Sequence, residues 1–256
     1  GEEFGARKYA ENFNLAEIRE AVKYAHFYNV KVYVTVNTLI KEQELKKVSQ
    51  YVLELYRIGV DAVLVQDIGL VRIIHENIPS LAIHASTQMT VTDAEGVRLL
   101  KDLGVKRVVL SRELSLDEIV RIYKETSMDL ECFIHGALCY SYSGKCLFSS
   151  LIGGRSGNRG RCAQPCRLPY DNEYILSARD ICTLKMIPQL MDAGIASFKI
   201  EGRMKSPEYV AGVTGIYRKY MDLFGEDDPD RISVLSSSEF KKDAELLLKL
   251  YARSGN

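Results

Sequence analysis

The chain has 256 residues, of which 46% are hydrophobic and 27% charged, a composition that fits one globular domain of barrel size or two small ones. Its 34 basic and 34 acidic side chains give a formal net charge of zero, which argues against bulk electrostatic capture of nucleic acid or anionic membrane but allows a local basic patch. No apolar run approaches the ~18 residues of a membrane span, and the first residues do not resemble a signal peptide, so we expect a cytoplasmic protein.

Short β-branched runs alternate with amphipathic helical stretches along the chain. Most of the runs lack strict polar alternation, as is typical of parallel strands that are buried on both faces. Helical periodicity ends repeatedly at a glycine, as at Gly59, Gly104 and Gly194. The predicted strands cover residues 31–37, 61–67, 81–87, 106–112, 129–136, 173–179 and 195–202, and further helices are predicted at 15–28, 115–126 and 206–223.

Seven strand–helix units in this order predict the α/β class and a TIM-barrel-like parallel (β/α) barrel, with a doubly wound open sheet as the alternative. Residues 1–13 resemble a loop that leads into the first helix, so we expect the first strand of the barrel to be missing. We assign residues 1–223 to the barrel and 137–172 within it to a Cys-rich insertion. Residues 224–256 are expected to form a linker and the start of a truncated C-terminal region.

The insertion has no clear helical period and little apolar material for a core. A loop of this length needs its own source of order. It contains Cys139, Cys146, Cys162 and Cys166, with six, fifteen and three residues between successive cysteines. Because the cytoplasm is reducing, structural disulfides are not expected there. Thiolates that converge on one inorganic centre would hold the segment together.

The spacing of the four cysteines leaves the nature of that centre open. A zinc ribbon prefers two tight pairs of ligands, and only the last pair here is tight. Four thiolates at irregular spacing also suit an iron–sulfur cluster, whose charge nearby arginines and glycine amides would offset. Cys182 is a fifth candidate that could replace Cys166, whereas Cys132 inside a predicted strand is interpreted as a buried thiol. The alternative for all of them is free cysteines packed as small hydrophobic residues.

Four segments resemble conserved-looking blocks of the U32 peptidase family, the collagenase-like protease family, and the resemblance extends from residue 1 to about 220. They are ECFIHGALCYSYSGKCLFSS at 131–150, GGRSGNRGRCAQPCR at 153–167, FKIEGRMKSPEYV at 198–210 and HASTQMTV at 84–91. The resemblance implies a barrel-like α/β domain, often followed by a further domain. Some members are described as proteases. Others are oxygen-independent hydroxylases that use an iron–sulfur cluster and act on a transfer-RNA uridine, a ribosomal-RNA cytidine or a ubiquinone precursor.

The resemblance therefore implies a hydroxylase of a pyrimidine in ribosomal or transfer RNA, with a small dicarboxylate such as prephenate as the oxygen donor. A four-iron–four-sulfur cluster, or zinc in its place, would be held by the four cysteines of the insertion. The block at 153–167 is most similar to the ribosomal-RNA branch. Because the ubiquinone branch places a ligand where Cys182 falls, the fourth ligand is either Cys166 or Cys182.

A peptidase is the main alternative, as the family name states. It needs a nucleophile with its base, or a catalytic zinc, and the sequence has neither Gly-x-Ser-x-Gly nor His-Glu-x-x-His. His135 stands four residues before Cys139, so a Cys–His peptidase is conceivable, but four thiols without one distinct member favour cluster chemistry. A non-enzymatic, zinc-stabilised scaffold that binds RNA is the second alternative.

Polar residues follow several predicted strands, where barrel enzymes have their active sites. Arg112 and Arg203 are candidates for binding donor carboxylates, because a guanidinium matches a carboxylate bidentately. Glu201 or His135 could move protons. The full set of candidate catalytic residues is His84, Gln88, Arg112, His135, Lys199, Glu201 and Arg203, with Ser111 and Glu113 beside them. The alternative for each is a satisfied polar residue on a loop.

Two basic segments are candidates for contact with RNA, FGARKY near the start of the chain and GRSGNRGR in the insertion. Their cations would contact phosphates and their tyrosine would stack on a base. The residues concerned are Arg7, Lys8, Tyr9, Arg155, Arg159 and Arg161. The alternative is a solvated basic rim.

Overall fold

The computed structural model describes residues 4–6, 12–202, 205–225 and 231–250, which form one sheet with helices around it. The strands are β1 Tyr33–Val36, β2 Ala62–Val65, β3 Ala82–Ala85, β4 Arg107–Val109, β5 Asp129–Gly136, β6 Ile181–Cys182 and β7 Ser197–Ile200. The helices are α1 Leu15–Phe27, α2 Leu45–Ile58, α3 Ile68–Asn77, α4 Ala94–Asp102, α5 Leu116–Thr126, α6 Phe148–Gly153, α7 Ile187–Asp192, α8 Pro207–Gly225 and α9 Ser238–Leu250.

The order of the strands in the sheet distinguishes between the two predicted folds, the parallel barrel and the doubly wound open sheet. Strands β1 to β5 pair in chain order, β7 pairs with β5, and every one of these pairs is parallel. A doubly wound sheet would reverse its order at one point, whereas sequential winding curls a parallel sheet toward a barrel. The described strands thus form a half-barrel with β1 and β7 at its edges, and the barrel-like α/β prediction is confirmed.

The helices begin and end where the sequence supplies caps. The side chains of Asn14, Asp67, Asp93 and Ser115 each accept a hydrogen bond from a backbone N–H in the first turn of the following helix. Helix α2 ends at Gly59, whose positive φ of 93° suits glycine. These caps fix the residues at which the helices begin and end.

The two faces of the sheet differ in chemistry. Alternate strand residues such as Val63, Ile83, Val108 and Leu130 belong to the hydrophobic core beneath the helices. The residues between them lie on the opposite side, which we call the inner face, and several of these are polar or charged. Cys132 lies in the core, where burial raises the pKa of its thiol to about 12, so its interpretation as a buried thiol is confirmed.

The predicted strand at 173–179 is wrong. Glu173 makes only an isolated bridge with Tyr170, and the apolar pair Tyr174 and Ile175 is exposed instead of packed. The last pairing position is taken by the short β6, which runs antiparallel to the end of β5. Strand β5 is eight residues long and β4 only three, so the end of β5 has backbone groups that need another partner.

Residues 231–250, in the stretch that the sequence assigned to a linker and a further region, pack on α8. Phe240 of α9 is 1% exposed, and its ring lies edge-on to Tyr220 at 4.9 Å between centroids. The Tyr220 hydroxyl donates to Asp243 at 2.8 Å. Within the described ranges, no helix combines the length and apolarity that crossing a bilayer requires.

Candidate active site on the inner face

A cluster of charged side chains lies on the inner face, contributed by β4, β5 and β7. The Lys199 ammonium donates to Glu131 Oε1 at 2.7 Å, and Ser197 Oγ donates to Glu131 Oε2 at 2.9 Å. Arg107 lies on the other side of the same carboxylate, with Nη1 3.9 Å from Oε2. Arg107 Nη2 also lies 3.5 Å from the more exposed carboxylate of Asp129, so the cluster has two cations and two carboxylates, of which only Glu131 is buried.

The electrostatics of the cluster fix the protonation of its members. Burial alone would raise the pKa of Glu131, but the charge of Lys199, hydrogen bonds from Lys199 and Ser197, and the charge of Arg107 together lower it. For the neighbouring His84, burial and then Arg107 lower the pKa to about 4. At neutral pH the cluster thus contains an ionised carboxylate and an uncharged imidazole, whose ring lies edge-on to Tyr33 with 4.8 Å between ring centroids.

Several buried polar atoms on this face lack hydrogen-bond partners among the described residues. They are Gln66 Oε1, His84 Nδ1, Arg107 Nε and Ser111 Oγ. Each of these residues lies in a strand or directly after one, at a position that alternates with core residues. This alternation places all four on the inner face. Because buried polar atoms are normally paired, four unpaired ones on neighbouring strands make this part of the inner face a candidate position for a bound water or polar ligand.

The Cys-rich insertion is anchored over the ends of β3 and β4 through Ser143, which is fully buried. Its backbone N–H and its hydroxyl donate to Glu113 Oε1 at 2.9 and 3.2 Å. Its carbonyl accepts from Thr90 Oγ1 at 2.6 Å, and its Oγ accepts from Arg112 Nε at 3.2 Å. Ser143 thus makes hydrogen bonds to the segments that follow β3 and β4, and these bonds fix the insertion beside the inner face.

Two further contacts hold the insertion in place. Gly144, with φ +75°, lies so close to the chain after β3 that an added Cβ would be 2.3 Å from the Gln88 carbonyl oxygen. On the other side of the insertion, Arg159 forms a two-pronged ion pair with Glu44, at 2.5 and 3.0 Å, and also donates to the Leu39 carbonyl. The hydrogen bond from Arg159 lowers the pKa of Glu44. The insertion therefore extends from the ends of β3 and β4 to the loop after β1.

Four of the predicted cysteine ligands share one electrostatic environment. Burial raises the pKa of Cys166, Arg167 opposes this, and the thiols of Cys139, Cys162 and Cys146 raise it further. The other three thiols therefore lie close enough to Cys166 to disfavour its thiolate form. The backbone of Cys182 pairs with His135, and its Sγ lies 3.7 Å from Tyr217 Oη.

Polar contacts bring the cysteine-bearing segments together. The Arg167 guanidinium donates to the carbonyl of Leu138, which precedes Cys139, and to Ser177 Oγ at 2.7 Å. The N–H of Ala163, which follows Cys162, donates to the buried Ser149 Oγ at 2.9 Å in the helix after Cys146. The arrangement is thus held by groups other than the thiols.

Within the described ranges, no group of three or more His, Cys, Asp or Glu side chains is placed as a ready metal site. The four thiols are neighbours but do not surround one point at ligating distance. The donor set nevertheless fits a thiolate-bound cluster, because residues 137–168 contain five basic and no acidic residues and so can balance its negative charge. That these cysteines bind a cluster stays a prediction.

The candidate catalytic residues are only partly brought together. His84 and Lys199 belong to the inner-face cluster, and Arg112 is connected to it through Phe133: the Arg112 and Lys199 cations each lie 5.6 Å from its ring centroid. Arg112 also holds the insertion through its bond to Ser143. Gln88 contributes its backbone, whose carbonyl accepts from Gln66 Nε2 at 3.3 Å.

The remaining candidates lie toward α8 or beyond the described ranges. His135 is buried, which lowers its pKa, and its Nδ1 is 3.3 Å from Tyr217 Oη. The carbonyl of Glu201 accepts from Tyr209. Residues outside the described part of the chain are Arg203 and the predicted RNA contacts Arg7, Lys8 and Tyr9.

Two residues at the centre of the cluster, Arg107 and Glu131, were not predicted from the sequence. A signal was present, because each is a charged residue within a predicted strand and alternates with core residues such as Val108 and Leu130. A charged residue inside an otherwise apolar strand indicates an inner-face position, and only the sheet pairing shows that two such positions meet.

Comparison with known proteins gives a consistent set of relatives. The model of Peptidase family U32 matches residues 1–254. The chain is 42% identical over 241 residues to the 23S rRNA 5-hydroxycytidine C2501 synthase of Escherichia coli. It is 35% identical over 244 residues to tRNA hydroxylation protein P1 of Bacillus subtilis, and 38% identical over 278 residues to an uncharacterized protease of Methanocaldococcus jannaschii.

The matches cover most of this chain but less of the relatives. They include 90%, 89% and 98% of the chain, whereas they span 36%, 58% and 64% of the relatives. The chain therefore corresponds to one part of each of these longer proteins.

Proposed function

The chain belongs to peptidase family U32, and we propose that it forms the catalytic barrel of a cytoplasmic enzyme that hydroxylates a pyrimidine in RNA without molecular oxygen. The observation that carries this proposal is the pair of relatives named for RNA hydroxylation, at 42% and 35% identity over about nine tenths of the chain. The inner-face cluster and the anchored insertion supply the groups that such a reaction needs.

A four-iron–four-sulfur cluster held by Cys139, Cys146, Cys162 and Cys166 is part of the proposal. Its support is that Cys139, Cys162 and Cys146 each add to the rise that burial causes in the pKa of Cys166, so all three lie within electrostatic range of it. We favour Cys166 over Cys182 because the other three thiols act on Cys166, whereas the Cys182 Sγ lies 3.7 Å from Tyr217 Oη. When bound, such a cluster supplies electron transfer or Lewis-acid chemistry next to the strand ends.

The inner-face cluster is the proposed site of a small dicarboxylate oxygen donor such as prephenate. Arg107 and Lys199 would supply the two cations that hold an anionic ligand; without one, Glu131 and the more exposed Asp129 balance them. The unpaired atoms of Ser111 and His84 can add hydrogen bonds. Arg112, fixed by the buried Ser143, would orient a carboxylate nearer the insertion.

The protonation of His84 suits a role in proton movement. Burial keeps its imidazole neutral at pH 7, and its unpaired Nδ1 can accept a proton or donate one, depending on the tautomer. His135 is held by Tyr217 instead, and we assign it to support of β5 and α8. The insertion over the strand ends would exclude water from the reacting atoms.

The test is an anaerobic reaction of the chain with unmodified ribosomal or transfer RNA and prephenate that carries heavy oxygen in its hydroxyl group. Nucleosides from the digested RNA are analysed by mass spectrometry. We expect one pyrimidine to gain one heavy oxygen atom. We expect Arg107→Gln to abolish this, whereas Arg98→Gln, on α4 and outside the cluster, should not. RNA that gains no oxygen under any donor would contradict the proposal.

A peptidase remains the second candidate because one relative is named a protease. The described residues do not form the Cys–His pair that a peptidase would need. His135 contacts Tyr217 and lies beside Cys182 in the sheet rather than being paired with Cys139. Cleavage of gelatin by the chain, abolished by a single Cys→Ser substitution, would favour it. One zinc per chain without any RNA product would favour the zinc-stabilised scaffold.

A further inference from the structure

The Cys-rich insertion differs from the rest of the chain in charge. Residues 137–168 contain five basic residues and no acidic one, although the whole chain has a net charge of zero. Arg159 and Arg167 are engaged, with Glu44 and with backbone carbonyls. Lys145, Arg155 and Arg161 are exposed. The outer side of the insertion therefore presents positive charge to solvent.

The same segment exposes two tyrosines close to the strand ends. Tyr140 is 59% exposed and Tyr142 is 66% exposed. Tyr142 directly precedes Ser143, which Glu113 and Thr90 hold in a fully buried position. The backbone at Tyr142 is therefore fixed next to the end of β4 while its ring faces solvent. A ring presented in this way loses little conformational entropy when it stacks on a flat partner.

We propose that Tyr140 and Tyr142, together with Lys145 and Arg161, form a surface that binds single-stranded RNA and places one base beside the inner face. This inference rests on the proposed function and names the substrate-binding surface of that site. Cations that follow a sugar–phosphate backbone and aromatic rings that stack on bases are the two elements with which proteins hold single strands.

Charge decides between RNA and the other occupant that the surface suggests. Leu151 and Ile152 of α6 are also exposed, at 81% and 66%, which would suit an apolar protein partner. Lys145, Arg155 and Arg161 are exposed cations in a 32-residue segment without a single acid, which favours a polyanion over an apolar protein partner. Binding of a protein that is insensitive to Lys145 and Arg161 would be the contrary outcome.

The experiment measures the affinity of the anaerobically purified chain for a fluorescently labelled single-stranded RNA by anisotropy over a series of salt concentrations. Loss of one stacked base weakens binding roughly tenfold. We therefore expect each single variant, Tyr142→Ala and Tyr140→Ala, to raise Kd by about that factor. Tyr142→Phe keeps the ring and should bind like the original chain. Lys145→Gln and Arg161→Gln should each lower the slope of log Kd against log salt by about 0.7.

The matched control is Tyr24→Ala, since Tyr24 is 70% exposed on α1, outside the insertion, and its loss should leave Kd unchanged. The surface is refuted if both insertion tyrosines can be replaced by alanine without a change in Kd, or if Tyr24→Ala weakens binding equally. Product analysis separates the two proposals. If RNA binds with this pattern but receives no oxygen, the proposed function is wrong and the binding surface stands. If the alanine variants hydroxylate RNA as well as the original chain does, the binding surface is wrong and the proposed function stands.

Discussion

Replacing His84 tests the electrostatic description of the inner face. Its pKa is lowered from 6.5 to about 4, by burial and then by Arg107, while Glu131 opposes this. Between these two pH values the unfolded chain binds more protons at this residue than the folded chain does, so stability falls as the pH falls. The shift corresponds to about 3 kcal/mol in full, of which about 2 kcal/mol is lost between pH 7 and pH 5.

The assay is urea unfolding of the original chain and of His84→Gln at pH 7 and pH 5, with the free energy of unfolding compared at equal m-values. We expect the pH-dependent loss to shrink by about 2 kcal/mol in the variant, whatever its stability at pH 7. His75→Gln, at an exposed position on α3, serves as the control and should keep the full loss. A His84→Gln chain that loses as much stability on acidification as the original would refute the assignment of a buried, neutral imidazole.

Three further substitutions test the contacts that shape the site. Glu131→Gln leaves two cations facing a neutral group and should lower the free energy of unfolding by about 2–3 kcal/mol, read from the urea midpoint; an unchanged midpoint would contradict the buried cluster. Gly144→Ala adds a Cβ at positive φ against backbone and should cost at least twice the ~1 kcal/mol of Gly59→Ala, where the same change meets open space; equal losses would argue against the docking of the insertion. Arg159→Gln removes the ion pair with Glu44 and should lower the free energy of unfolding by only about 1 kcal/mol. We also expect limited proteolysis to cut the insertion of this variant faster. An unaltered digestion pattern would contradict the role of Arg159 as an anchor.

The strands were predictable where the sequence supplies β-branched runs with a buried partner on each side. Residues 61–67 and 81–87 contain such runs, and β2 and β3 lie within them. The run at 173–179 has similar composition, but Tyr174 and Ile175 face solvent and no neighbouring strand is available to them. Periodicity reports which residues are apolar, not whether a partner strand exists, so this error could not be avoided from the sequence alone.

The site was predictable only in part, for a related reason. His84 and Lys199 were identified from their positions near strand ends, and the structure places both in one cluster. Arg107 meets Glu131 because β4 and β5 pair in one particular register, and register is not encoded in either strand by itself. The contact between Arg159 and Glu44 joins residues 115 positions apart, which no local pattern can indicate.

Iron and acid-labile sulfide analysis of the anaerobically purified chain, with its optical spectrum, tests the central claim most directly. We predict about four of each per chain, retained in Cys182→Ser and lost in Cys166→Ser. Zinc in place of iron, no metal, or a cluster that survives Cys166→Ser but not Cys182→Ser would contradict the assignment of the four cysteines and weaken the hydroxylase mechanism built on them.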